Sequence, residues 1–230
     1  MRLRVLVSLM VVGVVSGTTA QACPMIGEVT AALGGVTAVG SATGTVARVV
    51  DGETLALSDG RQIRLEGALV PRALDVGAVA GTWPAELAVT AWLSPLVIGK
   101  SVVIVSAATR GAPGDGEARR LRHVVAQVAV EEEDGRRWWL QGAMVEQGHA
   151  RVYRGGIGVP CLEALLSLEA TARAQRTGLW ALGAYRVIDL AVEPLIDGHG
   201  TTFQIVRGRV RSVFRTRSGV MLRMERGRGG

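Results

Sequence analysis

The sequence predicts an α+β protein: a five-stranded β-barrel of Greek-key type with helices packed against it. Two observations predict it. Three short β-branched segments follow one another between residues 45 and 65 with Asp-Gly pairs at their corners, and helical and strand-like segments then alternate as far as residue 182. A chain of 230 residues, 48% hydrophobic and 20% charged, has room for one substantial core and a smaller appendage. This composition excludes an intrinsically disordered chain.

The first three strands are predicted to form a meander. The chain alternates over 45–50, turns at Asp51-Gly52, and continues as a strand over 54–57. A second turn, Ser58-Asp59-Gly60, leads to a strand over 62–65. Asp-Gly is a strong hairpin signal because both residues tolerate the backbone conformations of tight turns.

The rest of the barrel region is predicted from hydrophobic spacing and breakers. Leu165, Leu166 and Ala172 carry the apolar face of the longest amphipathic helix, for which Gly178 is the expected C-terminal glycine. The full set of predicted segments is a helix over 84–98, strands over 101–105 and 123–130, a charged hairpin over 131–137, a helix over 140–149, a strand over 149–153 and a helix over 161–175. This order suits an OB-fold.

A second group of strand-like segments begins at residue 203, with strands predicted over 203–206, 208–213 and 220–224. Such a fragment cannot bury a core of its own, so we expect it to dock on the barrel. The net charge of +6 is concentrated here, because residues 201–230 hold eight arginines and one acid. Arg209, Arg211 and Arg215 are therefore candidate nucleic-acid-binding residues.

The first 22 residues have the pattern of a secretory signal peptide. Arg2 and Arg4 precede an apolar run that is too short to span a bilayer, and Ala20-Gln21-Ala22 forms a cleavage site. We expect cleavage after Ala22, a secreted or periplasmic protein, and no membrane span afterwards. A retained anchor and a lipid on Cys23 are the alternatives; bulky Gln21 argues against the lipid.

The two cysteines, Cys23 and Cys161, leave two interpretations open. An oxidising compartment would permit a bridge between them. A single helical cysteine is more often a small buried hydrophobic residue, and this is the interpretation that we favour for Cys161.

Several segments in order resemble the staphylococcal nuclease (thermonuclease) family. They are residues 49–55, 59–67, 148–153, 161–174 and 178–180, so that the resemblance covers about 43–182. The resemblance implies an OB-fold barrel and calcium-dependent hydrolysis of DNA or RNA. It divides the chain into a signal peptide (1–22), a linker (23–42), a nuclease-like domain (43–182) and an Arg-rich β extension (183–230).

The resemblance also implies which residues would act. Asp51 and Glu53 would hold calcium through carboxylate oxygens, with Glu53 at a position where the family has aspartate. Arg64 would clamp phosphate, and Glu53 and Arg64 are the candidate catalytic residues. Leu69 and Arg72, however, stand where the family has a second metal-binding aspartate and the catalytic glutamate. His123 stands where a second arginine is expected, with Arg120 and Arg122 nearby.

These departures predict an impaired enzyme. Leucine cannot bind calcium, and arginine cannot act as a general base at neutral pH. The first hypothesis is therefore an exported nuclease-like protein that binds nucleic acid or a protein partner in the envelope. The alternatives are an active calcium-dependent nuclease that uses Asp51, Glu53 and Arg64, and a structural module of the cell envelope.

Overall fold

The computed structural model describes residues 41–73, 75, 84–105, 123–154, 159–193, 203–217 and 219–225. The predicted signal peptide, its cleavage site after Ala22, Cys23, Arg120 and Arg122 lie outside these residues, as does the side chain of His123.

The chain alternates strands and helices in the predicted order. The elements are β1 (Ser41–Asp51), β2 (Thr54–Leu57), β3 (Gln62–Leu65), β4 (Ala68–Leu69), α1 (Pro84–Val97), β5 (Ser101–Val105), β6 (His123–Glu131), β7 (Arg137–Trp139), α2 (Leu140–Glu146), β8 (Arg151–Val152), α3 (Val159–Gln175), 3-10 turns at Gly178–Ala181 and Gly183–Tyr185, β9 (Ile188–Asp189), β10 (Val206–Arg207), β11 (Val210–Thr216) and β12 (Gly219–Met224).

Five strands close into a barrel, which confirms the predicted fold class. β1 pairs antiparallel with β2 and β5, β2 with β3, and β5 with β6. The parallel pairing of β3 with β6 closes the sheet, and β7 continues it beyond β6. The meander turns at Asp51-Gly52 and at residues 58–60, as the Asp-Gly pairs predict.

Aliphatic side chains fill the barrel because alternate residues of a strand point to the same face. Leu55, Ile63 and Val128 are fully buried there. Helix α1 covers one end of the barrel with Val89, Leu93 and Val97. The core thus depends on aliphatic rather than aromatic packing, in keeping with an aromatic content of 4%.

Helix α3 departs from its predicted amphipathic face at Leu166. Leu165 and Ala172 are buried, but Leu166 is 44% exposed, whereas Glu169, which also fits the helical period, is 2% exposed. Glu169 is buried because its Oε1 accepts a hydrogen bond from the backbone N–H of Val152 in β8, 2.7 Å away. A polar position on the inner face of the helix therefore holds β8 in place.

The end of α3 also differs from the prediction. The residue in the left-handed region directly after the helix is Arg176 (φ 57°), not Gly178. Gly178 (φ 55°) and Gly148 (φ 66°) instead allow two backbone segments to meet closely. The N–H of Leu179 donates to the carbonyl of Gly148 at 2.9 Å, which joins the chain after α2 to the chain after α3.

The described C-terminal residues form two small pairs of strands. β10 pairs parallel with β9, and β11 and β12 form a hairpin whose side chains are largely exposed. The carbonyl of Phe203 accepts a hydrogen bond of 2.8 Å from Nη1 of Arg151. The extension therefore contacts the nuclease-like region through a buried arginine.

Cys161 is buried in α3, as expected, but it is disulfide-bonded. The favoured interpretation of Cys161 is therefore right about its burial and wrong in treating it as a cysteine without a bridge. The only other cysteine of the sequence is Cys23.

No helix in the described part of the chain has the length and apolar character needed to cross a membrane.

Candidate functional site

The candidate site lies at one end of the meander, where three segments meet. Glu53 lies in the turn between β1 and β2, and Arg64 lies on β3 directly opposite Thr54 of β2. The backbone N–H of Leu65 donates to the carbonyl of Glu53 at 2.8 Å. Residues 70–72 follow β4 and return to this end of the barrel. The meander thus brings Glu53, Arg64 and Arg72 together although they are distant in sequence.

Glu53 is the centre of this site. Its side chain is 9% exposed, and both of its carboxylate oxygens accept hydrogen bonds. Oε1 accepts from the backbone N–H of Val70 at 3.1 Å. Oε2 accepts from Nη2 of Arg72 at 2.6 Å and from Nη2 of Arg64 at 3.3 Å. A buried carboxylate is stable in the fold only with partners of this kind.

Arg72 gives the site a character that the sequence alone did not reveal. In the sequence, Arg72 is visible only as the replacement of a base. In the structure its guanidinium pairs with the carboxylate of Glu53, while its side chain stays 46% exposed. Arg64 is 61% exposed and approaches the same oxygen. Two departures from the family pattern, taken together, could have indicated this ion pair. Position 53 has glutamate, which is longer than aspartate, and position 72 has an arginine that its carboxylate can reach.

Asp51 and Leu69 complete the surroundings. Oδ1 of the exposed Asp51 accepts a hydrogen bond from the backbone N–H of Glu53 at 2.7 Å, so that Asp51 shapes the turn. Leu69 pairs with Arg151 in the β4–β8 register and offers no oxygen from its side chain. Among the described residues, Arg64 pairs with Glu53 and not with Glu66, its neighbour two positions along the strand.

The arrangement does not fit the calcium ion that the resemblance implies. Calcium takes six to eight oxygen ligands at about 2.3–2.6 Å. Within the described ranges there is no group of three or more His, Cys, Asp or Glu side chains that could hold a metal ion. The buried carboxylate of this site, Glu53, is already held by two guanidinium groups and a backbone N–H. A cation at Oε2 of Glu53 would have to displace both arginines.

A second polar cluster, centred on Asp75, adjoins the site through the backbone of Arg72. Oδ2 of Asp75 accepts hydrogen bonds from Nη2 of Arg151 (2.9 Å), the hydroxyl of Tyr185 (2.8 Å) and the backbone N–H of Arg72 (3.0 Å). Arg151 is 4% exposed, and its guanidinium lies 4.8 Å from the ring centre of Tyr185. Asp75 therefore fixes the backbone of Arg72 rather than serving as a replacement metal ligand.

Glu66 is buried and linked through Gln127 to Trp139. Nε2 of Gln127 donates to the carbonyl of Glu66 at 2.7 Å, and Oε1 of Gln127 accepts from the indole of Trp139 at 2.8 Å. Burial raises the pKa of the Glu66 carboxyl, and a hydrogen bond with Gln127 partly opposes this. Glu66 is thus a buried structural acid.

The surroundings of His149, whose side chain the structure describes, do not point to catalysis. The ring of His149 packs against Trp92, with the ring centres 4.4 Å apart. Burial lowers the pKa of His149, which favours the neutral imidazole. These are the surroundings of a packed side chain.

The candidate nucleic-acid-binding residues fall into two separate groups. Arg64 belongs to the Glu53 cluster. Arg209, Arg211 and Arg215 are exposed at the β11–β12 hairpin. Glu225 is the acidic residue within the described ranges 203–217 and 219–225. No hydrogen bond or ion pair between described residues joins the hairpin arginines to Glu53 or Arg72.

Comparison with known proteins places this barrel in a family. No curated protein matches the chain. The family model described as "Staphylococcal nuclease homologue" matches residues 63–182, just over half of the chain, and this range includes Arg64, Arg72 and helices α1 to α3. The closed barrel with its packed helices agrees with that match, and the chain therefore belongs to the staphylococcal nuclease homologue family.

Proposed function

We propose that this protein binds nucleic acid in the cell envelope or outside the cell and hydrolyses it poorly or not at all. Membership of the family supports a nuclease-related function, and the proposal concerns what remains of it in this chain. The observation that carries the proposal is the pairing of Arg72 with Glu53.

That pairing matters because the calcium-dependent hydrolysis implied by the family resemblance uses two groups. A cation polarises the phosphate, and a base activates water. Here the carboxylate that would hold the cation is neutralised by Arg72 and Arg64, and the position of the base is occupied by Arg72 itself. An arginine keeps its proton at neutral pH. Arg72 thus stands in place of the base and also occupies the carboxylate of Glu53, while Leu69 offers no second carboxylate for the cation.

Nucleic-acid binding is supported by the charges that remain. Arg64 and Arg72 are about half-exposed, and the β11–β12 hairpin exposes five further arginines, namely Arg209, Arg211, Arg215, Arg217 and Arg223. Arginine guanidinium groups suit phosphate oxygens in number and geometry. The ring of Phe214 lies 5.2 Å from the guanidinium of Arg223 on the exposed hairpin, and an exposed ring of this kind can stack on a base.

The proposed location depends on the N-terminal signal sequence and on Cys161. A cleavable leader ending at Ala22 would deliver the chain to the periplasm or the medium. The disulfide at Cys161 suits such an oxidising compartment. If Cys23 is its partner, the thiol of Cys23 is not free to carry a lipid. Mass spectrometry of the mature protein under non-reducing conditions tests the cleavage site and the bridge together.

The function is tested by measuring binding and hydrolysis on the same labelled single-stranded DNA, in calcium and in EDTA. We expect salt-sensitive binding in both buffers and no calcium-dependent cleavage. Calcium-dependent cleavage that is lost in Arg64→Ala would establish the alternative, an active nuclease with an altered site. Absence of binding even at low salt would favour a structural envelope module or a protein partner.

A further inference from the structure

Two partly exposed arginines converge on one oxygen atom in the candidate site. Nη2 of Arg72 lies 2.6 Å and Nη2 of Arg64 lies 3.3 Å from Oε2 of Glu53. A guanidinium has five N–H donors, and each of these groups contributes one terminal nitrogen to the carboxylate. With 46% and 61% of their side chains exposed, both arginines have donors left for a ligand from solvent.

The acceptor that gathers the two arginines is fixed. Oε1 of Glu53 is held by the N–H of Val70, and the backbone of Glu53 is held on both sides by Asp51 and Leu65. The backbone of Arg72 is fixed as well, because its N–H donates to Asp75 and its carbonyl accepts from the N–H of Asp75 at 2.9 Å. Such a preformed arrangement lowers the entropy cost of binding.

The hydrogen-bond donors of this site favour an anion. Arg64 and Arg72 carry two positive charges and meet at the carboxylate of Glu53, while the exposed Asp51 adds a second negative charge in the same turn and the charge of Asp75 is matched by Arg151. The guanidinium donors that Glu53 does not occupy, rather than an excess of net charge, would therefore attract a phosphate. A phosphate can accept hydrogen bonds from two guanidinium groups at once.

We infer that Arg64 and Arg72 form a phosphate clamp that works without a divalent cation, with the guanidinium of Arg72 supplying the positive charge that a metal ion would otherwise bring. The inference rests on the proposed function, because it assigns one phosphate of the bound nucleic acid to this site. It goes further in naming Arg72 as a binding residue and in requiring that binding be independent of calcium.

The test is fluorescence anisotropy of a labelled oligothymidylate, measured over a series of salt concentrations in EDTA. Arg72→Gln and Arg64→Gln should each weaken binding about threefold to tenfold and lower the salt slope by about 0.7, the value for one lost contact on a single strand. Arg61→Gln is the matched control, since Arg61 lies on the same meander but is paired with Asp59 and the carbonyl of Thr43. It should bind as the parent does.

Glu53→Gln provides a test in the opposite direction. It removes the negative charge between the arginines while keeping an acceptor for the N–H of Val70, so that phosphate binding should tighten about threefold. Arg72→Lys should retain part of the parent affinity, because lysine keeps the positive charge but lacks the planar set of N–H donors of a guanidinium. Thermal melts of each variant identify any that fail to fold, and the remaining variants then decide the question.

The outcomes separate this inference from the proposed function. If the parent binds DNA but Arg72→Gln and Arg64→Gln bind equally well, the clamp is wrong and the hairpin arginines carry the binding. If the parent does not bind at all, the proposed function fails. Stronger binding by the parent in calcium than in EDTA at equal ionic strength would overturn the metal-independent clamp. Competition by inorganic phosphate that is reduced in Arg72→Gln would show that the phosphate group itself is recognised.

Discussion

Nη2 of Arg72 lies 2.6 Å from Oε2 of Glu53, although the two residues are 19 positions apart in the sequence. Because Glu53 is buried and also accepts the N–H of Val70, its loss should leave both a backbone donor and a guanidinium without an acceptor. We expect Glu53→Ala to lower the free energy of unfolding by about 2–4 kcal/mol. Urea unfolding measures this.

The control for Glu53→Ala is Glu53→Gln, which retains a side-chain oxygen near the N–H of Val70. It should lower the free energy of unfolding by clearly less than the alanine variant. Equal losses in the two variants would mean that the charge of Glu53, and not its hydrogen bond to Val70, decides stability at this site.

The cluster around Asp75 should also be sensitive to a change of charge. Asp75→Asn would leave the guanidinium of Arg151, which is 4% exposed, without a carboxylate, and should lower the free energy of unfolding by about 3–5 kcal/mol. Hydrogen exchange should rise near Phe203, whose carbonyl accepts from Arg151. Asp59→Asn disturbs the exposed pair with Arg61 and should cost no more than about 1 kcal/mol. An unchanged exchange rate at Phe203 would argue against the coupling of the extension to the barrel.

Gly148 should be intolerant of any side chain. Its φ is 66°, and a Cβ there would overlap the carbonyl of Thr177, so that Gly148→Ala adds a collision with backbone to the strain of the left-handed conformation. Gly99 has φ 80° but open space around it, and Gly99→Ala should cost only the backbone strain of about 1–2 kcal/mol. Thermal melts of the two variants should therefore differ. Similar melting temperatures would show that the contact between residues 148 and 177 yields easily.

The pH dependence of stability should reveal the burial of Glu169. Burial raises the pKa of Glu169 from 4.5. The hydrogen bond from Val152 and the charges of the nearby arginines oppose this increase only in part. Above 4.5 the unfolded chain releases this proton while the folded protein retains it, so that stability falls with rising pH until the raised pKa is passed. Glu169→Gln removes that loss and keeps an acceptor for Val152.

The melting temperature of Glu169→Gln minus that of the parent should accordingly increase from about pH 4 to about pH 8. Glu163→Gln, an exposed change on the same helix, should give a flat difference. A flat or decreasing difference for Glu169→Gln would contradict the direction of the pKa change.

The barrel could be predicted from the sequence because its signals are local. Asp-Gly corners and β-branched runs lie within a few residues of the strands they define, and the meander formed where they indicate. The face of α3 was less certain, since Leu166 fits the period as well as Leu165 does, and only the partner strand decides which is buried. Arg151 and Asp75 could not be paired in advance, because 76 residues separate them and neither belongs to a local pattern.

The candidate site, like the fold, has features that could be predicted from the sequence and features that could not. Positions 53, 64, 69 and 72 could be assigned by resemblance, and this was enough to predict the loss of a base and of a metal ligand. The ion pair between Arg72 and Glu53 could not be predicted by resemblance. A sequence shows which residue stands at each position, but an ion pair depends on the distance between two side chains. The sequence therefore shows only the loss of site residues, whereas the structure shows that Arg72 forms an ion pair with Glu53 at this site.

In our proposal the guanidinium of Arg72 takes the place of the cation at the carboxylate of Glu53. Calorimetric titration of calcium into the protein saturated with a single-stranded oligonucleotide is the decisive measurement. We expect no saturable heat of calcium binding in the parent. A stoichiometric calcium-binding signal that is abolished by Glu53→Gln would overturn the proposal, because calcium would then reach the carboxylate that Arg72 and Arg64 hold in the structure.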